Sequence, residues 1–135
     1  ATTLNPGSHE AWNYKGFVLE DLGRLKDAIS SFDRAIKVNP NFIAALNNKG
    51  LVLDKRGKHG EAIEAYNSAI QANPAFDAAW FNMACAYSLL GEKDNMLDSL
   101  KKALDLNHRY KMGLQQVPDF LRYRNDPEFL KLSGR

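Results

Sequence analysis

The chain has a single cysteine, Cys85, among its 135 residues. An intrachain disulfide is therefore excluded, and this usage fits a reducing, cytoplasmic compartment. Charge of one sign is also scarce. Lys and Arg number 18 against 16 Asp and Glu, a formal net charge of +2, which gives no reason to expect nucleic acid or an anionic membrane as partner. Residues 96–135 hold eight Lys/Arg against five Asp/Glu, a mild bias that reads as a solvated surface. Long hydrophobic runs are missing, and none approaches the roughly 18–20 residues that a membrane span requires. The opening ATTLNPGSHE lacks both the charged region and the apolar region of a secretion signal.

The signatures of chemistry are lacking too. His9, His59 and His108 stand far apart, and no His-Glu-x-x-His or Cys-x-x-Cys spacing occurs, so no metal site is expected. No Gly-x-Gly-x-x-Gly or Gly-Lys-Ser/Thr run cradles a phosphate, and no cofactor is expected. Cys85 has no histidine base placed near it and reads as an inert thiol. A non-enzymatic protein is the expectation.

What is present is a period. Asn5-Pro6, Asn39-Pro40 and Asn73-Pro74 are 34 residues apart, and Asn107 keeps the step with His108 in place of Pro. Trp12, Leu46 and Trp80 share the spacing, as do Gly16, Gly50 and Ala84, and Gly23, Gly57 and Gly91. So do Ala28, Ala62 and Met96; Phe32, Tyr66 and Leu100; and Ala35, Ala69 and Ala103. Residues 9–42 and 43–76 are identical at 14 of 34 positions, so an internal repeat governs the fold. Within a unit, Trp12, Gly16 and Leu19 line one helical face, and Gly23 can end that helix. Ala28, Ile29, Phe32, Ala35 and Ile36 form the stripe of a second helix, which Asn39-Pro40 stops. Large and small residues alternate so that paired helices interlock. Gly50, inside the costly string Asn47-Asn48-Lys49-Gly50, is thus a packing position and not a helix breaker. Trp12, Phe32, Tyr66 and Trp80 are expected in the core.

A 34-residue helix–turn–helix with this pattern resembles the tetratricopeptide repeat family. The resemblance implies an all-α fold, a right-handed α-solenoid of antiparallel helix pairs. Residues 9–42, 43–76 and 77–110 are three units, and residues 1–8, with Leu4-Asn5-Pro6, look like the tail of an earlier one. On that reading the chain is the C-terminal piece of a longer array. Residues 111–135 do not complete a fourth unit, because Pro118 falls where a helix interior is required. They are expected to form capping helices, with Asp126-Pro127 starting the last. Met112, Leu114, Val117, Phe120, Leu121, Phe129, Leu130 and Leu132 would cover the end of the third unit.

The resemblance further implies a concave groove lined by the first helix of each unit. Carried onto this sequence, its lining residues include Asn13, Tyr14 and Phe17; Asn47, Asn48 and Leu51; and Phe81, Asn82 and Cys85. Glu20, Asp54 and Asp21 place acids toward one rim. Asn side chains both donate and accept, so a row of them can pair with the main chain of an extended peptide. Asn at these places can equally serve to join neighbouring helices. The positions where some family members clamp a terminal carboxylate hold Asn13, Phe17, Asn48, Ala78 and Asn82, one match in five, so no such clamp is expected. The leading reading is a scaffold that binds a protein or peptide segment. The alternatives are a substrate-positioning segment of a longer enzyme, or self-association through exposed repeat ends.

Overall fold

The computed structural model describes residues 8–134. Leu4-Asn5-Pro6, expected as the tail of a preceding unit, lies outside the described residues. Those residues contain no strand and begin with six α-helices: α1 His9–Asp21, α2 Leu25–Val38, α3 Ile43–Lys55, α4 His59–Ala72, α5 Asp77–Leu90 and α6 Lys93–Leu106. Three short 3-10 turns follow, His108–Lys111, Leu114–Gln116 and Pro118–Tyr123, and a last helix, α7, runs Pro127–Leu132. The chain divides into two compact units at Asn73 and Pro74.

In the first unit α1 pairs with α2 and α3 with α4 as helical hairpins, and α2 packs on α3. Ser8 starts α1, its hydroxyl accepting from the Ala11 N–H at 3.0 Å. The turn that reverses the chain needs a left-handed residue, and Gly23 supplies it at φ 79°. Its N–H reaches the Glu20 carbonyl and the Arg24 N–H the Leu19 carbonyl, both at 2.9 Å. These two crossed bonds satisfy carbonyls that the helix end would otherwise leave open. The end of α3 repeats the pattern, the Gly57 N–H on the Asp54 carbonyl and the Lys58 N–H on the Leu53 carbonyl.

Helix pairing rests on the alternation of large and small residues. A Cβ built on Gly16 would stand 2.5 Å from the Phe32 ring, and one on Gly50 would collide with the Tyr66 ring. Phe32 and Tyr66 are fully buried, and α3 runs unbroken through Asn47, Asn48 and Gly50. Trp12 and Trp80 depart from the expectation: both are only partly buried. Lys15 and Arg34 sit over the Trp12 ring, and the Trp80 indole N–H donates to the Pro74 carbonyl at 2.9 Å. An indole keeps an edge in water where its N–H has a partner to reach.

The second unit packs α5 on α6 and closes both with the C-terminal segment. Its core joins Ala84, Cys85, Met96, Leu100 and Leu104 to Leu114, Phe120 and Phe129. Where the other hairpins set Gly against a ring, this one has Ala84 and Leu100, so a methyl gained on one helix is balanced by a smaller side chain on the other. The capping segment is mostly 3-10 turns, with one short α-helix, because Pro118 forbids a longer helix. Asp126 caps α7, its Oδ1 accepting from the Glu128 and Phe129 N–H groups at 3.0 and 3.2 Å. Leu114, Phe120 and Phe129 are buried, with Val117 and Leu132 packed beside them. Met112 and Leu121, expected to help cover this end, are instead 83% and 54% exposed.

Candidate functional site

In the first unit, α1 and α3 lie side by side and present Asn13, Tyr14 and Phe17 beside Asn47, Asn48 and Leu51. Asn48 Nδ2 donates to Asn13 Oδ1 at 3.2 Å, a bond between the two helices. It uses one donor of Asn48 and one acceptor of Asn13. The Asn13 amide N–H groups and the Asn48 carbonyl make no other hydrogen bond among the described residues. Tyr14 and Phe17, large and apolar, are 62% and 50% exposed on the same helix.

The acidic rim read from the sequence is largely neutralised. Glu20 pairs with Lys55 in an ion pair between α1 and α3. Asp54 receives the Tyr66 hydroxyl at 2.6 Å on one oxygen and meets His59 Nδ1 at 2.8 Å on the other. Asp54 therefore joins the end of α3 to α4, and of the three rim acids only Asp21 is exposed to solvent. Among the described residues no group of three or more His, Cys, Asp or Glu side chains is placed to hold a metal ion.

The third set of predicted lining residues has a different fate. Phe81 stacks on Tyr110 with centroids 4.4 Å apart and meets Phe120 edge-on at 5.8 Å. Cys85 is buried in the core of the unit, and Ser88 donates to the Asp119 carbonyl at 2.6 Å. This corrects the expectation that Phe81 and Cys85 line an open groove: the protein's own C-terminal segment lies on that face of α5. Asn82 is partly buried beside them.

Sequence reasoning missed Tyr110. Burial pushes its phenol above the usual range, and Asp77 adds to the rise through its charge and a hydrogen bond. Asp77 also accepts from Asn107 Nδ2 at 2.9 Å, so the end of α6 is tied to the start of α5. The only signal in the sequence was that Asn107 keeps the 34-residue step.

Profiles described as tetratricopeptide repeat match residues 1–41, 18–75 and 77–109. The chain belongs to the tetratricopeptide repeat family. Repeat proteins of this fold are protein-interaction modules, and the all-α hairpins above are its units of construction. No curated protein sequence matches the chain, but solved structures of the repeat fold do. A crystal structure of MamA is 32% identical with a TM-score of 0.74, over 81% of this chain and 64% of that one. The chain thus spans a little under two thirds of that relative. MamA 41-end from Desulfovibrio magneticus RS-1 is 25% identical, TM-score 0.71, over 92% of this chain and 73% of its own. YrrB, described as a TPR protein with an unusual peptide-binding site, has a TM-score of 0.74 over 81% of this chain and 56% of its own. At 24% identity it supports the repeat fold alone. No helix among the described residues is long and apolar enough to cross a membrane.

Proposed function

We propose that this repeat protein holds an extended segment of a partner protein along α1 and α3, without catalysis. The observation that carries the reading is the Asn13–Asn48 pair, which leaves donors on one side chain and an acceptor on its neighbour. An extended main chain offers the complementary C=O and N–H groups regardless of its sequence. Tyr14 and Phe17 supply apolar surface beside that pair, with Asn47 and Leu51 completing the lining. Each hydrogen bond contributes about 0.5–1.5 kcal/mol net, so a short segment held this way has an affinity on the order of micromolar. A non-catalytic role is supported by the burial of Cys85 and by the engagement of Asp54 with Tyr66 and His59.

A photo-crosslinking side chain at Phe17, used in a lysate of the source cells, tests the reading. Cross-linked partner peptides are expected with the otherwise unchanged protein and are expected to fall about tenfold when Asn13→Ala and Asn48→Ala are combined, the loss of about 1.4 kcal/mol. Equal yields from both proteins would overturn the proposal.

A further inference from the structure

Two polar bridges join α1 to α3, and both lie within the first unit. One is the Asn48–Asn13 amide bond, the other the Lys55–Glu20 ion pair. On each helix the bridging residues are seven positions apart, Asn13 to Glu20 and Asn48 to Lys55, which is about 10 Å along the axis. Phe17 of α1 and Leu51 of α3 fall between them. Together they form an apolar shelf closed at both ends by paired polar groups.

The shelf faces outward by its register and not for want of a neighbour. Leu51 stands 34 residues after Phe17, and it stays partly exposed although α1 and α2 both pack against α3. Val52, the next residue, is the one that this packing buries completely. Phe17 itself is 50% exposed.

The spacing of the shelf from the Asn pair matches an extended chain. Phe17 lies one turn past Asn13, about 6 Å along the axis. In an extended chain, residues two apart are separated by about 6–7 Å and turn their side chains to the same face. The distance between the bridges leaves room for one large apolar side chain. A second, two residues further on, would rest on the Lys55–Glu20 pair and take it from water at a cost. Building on the Asn13–Asn48 reading, we infer that the site selects an extended segment with a single large aliphatic or aromatic anchor. The anchor sits on Phe17 and Leu51, and the Asn pair holds the main-chain groups of the residue two positions from it. Proline at that position is rejected, because it has no N–H for Asn48 Oδ1.

Neutral Ser/Thr heptapeptides with a central Leu, blocked at both ends and carrying a fluorophore, test the inference by anisotropy with the whole protein. Exchanging the Leu for Ser is expected to weaken binding at least about tenfold. N-methylation, which removes one main-chain donor, is expected to cost about tenfold at one of the two residues that lie two positions from the Leu, and little at the residues adjacent to it. Combining Asn13→Ala with Asn48→Ala should abolish the N-methyl effect and keep the preference for Leu. Phe17→Ser with Leu51→Ser should abolish the preference for Leu. Circular dichroism confirms that both variants keep their helices. Equal binding of the Leu and Ser peptides, or an N-methyl cost that is the same at every position, overturns the inference. If such binding still falls in the double Asn variant, the groove reading stands without it. Absence of binding by every peptide also overturns the inference, and the cross-linking experiment at Phe17 then decides the groove reading separately.

Discussion

Gly50 shows how a single residue can be costly for its helix and necessary for the fold. Gly is less favourable than Ala by about 1 kcal/mol in a helix interior, so Gly50→Ala would stabilise α3 in isolation. In the folded protein its methyl meets the buried Tyr66 ring, and forcing extra volume into a packed core costs about 1–3 kcal/mol. The expected outcome is net destabilisation, read as a lower urea midpoint. Gly60 provides the opposite case on α4. It is exposed, and a Cβ there meets nothing within 4 Å. Gly60→Ala is therefore expected to raise stability by about 0.5–1 kcal/mol. If both substitutions move the midpoint the same way, ring contact is not what selects Gly at residue 50. Cys85 gives a third residue-scale expectation. The residue is buried, 8% exposed, so labelling by a thiol reagent should be slow in the native protein and rise with denaturant.

At the scale of elements, the C-terminal segment is held to its unit by charge as well as by apolar packing. Asp126 both caps α7 and pairs with Lys93 at 2.6 Å, and Lys93 also reaches Glu128 at 2.9 Å. The hydrogen bond from Lys93, with help from the Phe129 and Glu128 N–H groups, holds the Asp126 carboxyl below its ordinary value of 3.8. A depressed acid stabilises the fold wherever the unfolded carboxylate is ionised, and that contribution fades as pH falls through the folded value. Asp126→Asn should therefore lower the thermal midpoint near neutrality, and the gap should close as pH drops below about 4. A gap that persists undiminished in acid would show that the Lys93 pair does not anchor the segment. The hairpins were legible in the sequence because one period fixes Trp12, Gly16, Phe32 and Gly23 together. The path of the segment was not. Pro118 removes the helical period, so nothing in the spacing of Met112, Leu121 and Phe120 says which of them turns inward. For the same reason the covering of Phe81 by Tyr110 could not be read in advance. The Asn13–Asn48 pair was legible as two positions, but the bond between them depends on how α1 and α3 pack.

The chain is built of similar hairpins in two compact units, and stability in repeat proteins is a sum of local terms and nearest-neighbour terms. A perturbation inside one unit should therefore act first on that unit, and unfolding need not follow a single two-state transition. The two tryptophans allow this to be measured, since Trp12 lies in the first unit and Trp80 in the second. Two single-tryptophan proteins, made by Trp80→Phe and Trp12→Phe, report the units separately in a urea titration. Phe129→Ala removes a fully buried ring from the core of the second unit, a loss of about 3–5 kcal/mol. It is expected to lower the midpoint seen by Trp80 well below that seen by Trp12. Gly50→Ala, acting between α3 and α4, should do the reverse. Equal shifts at both reporters for both substitutions would mean that the chain unfolds as one cooperative block, in which the core around Phe129 and the contact between Gly50 and Tyr66 support every hairpin alike.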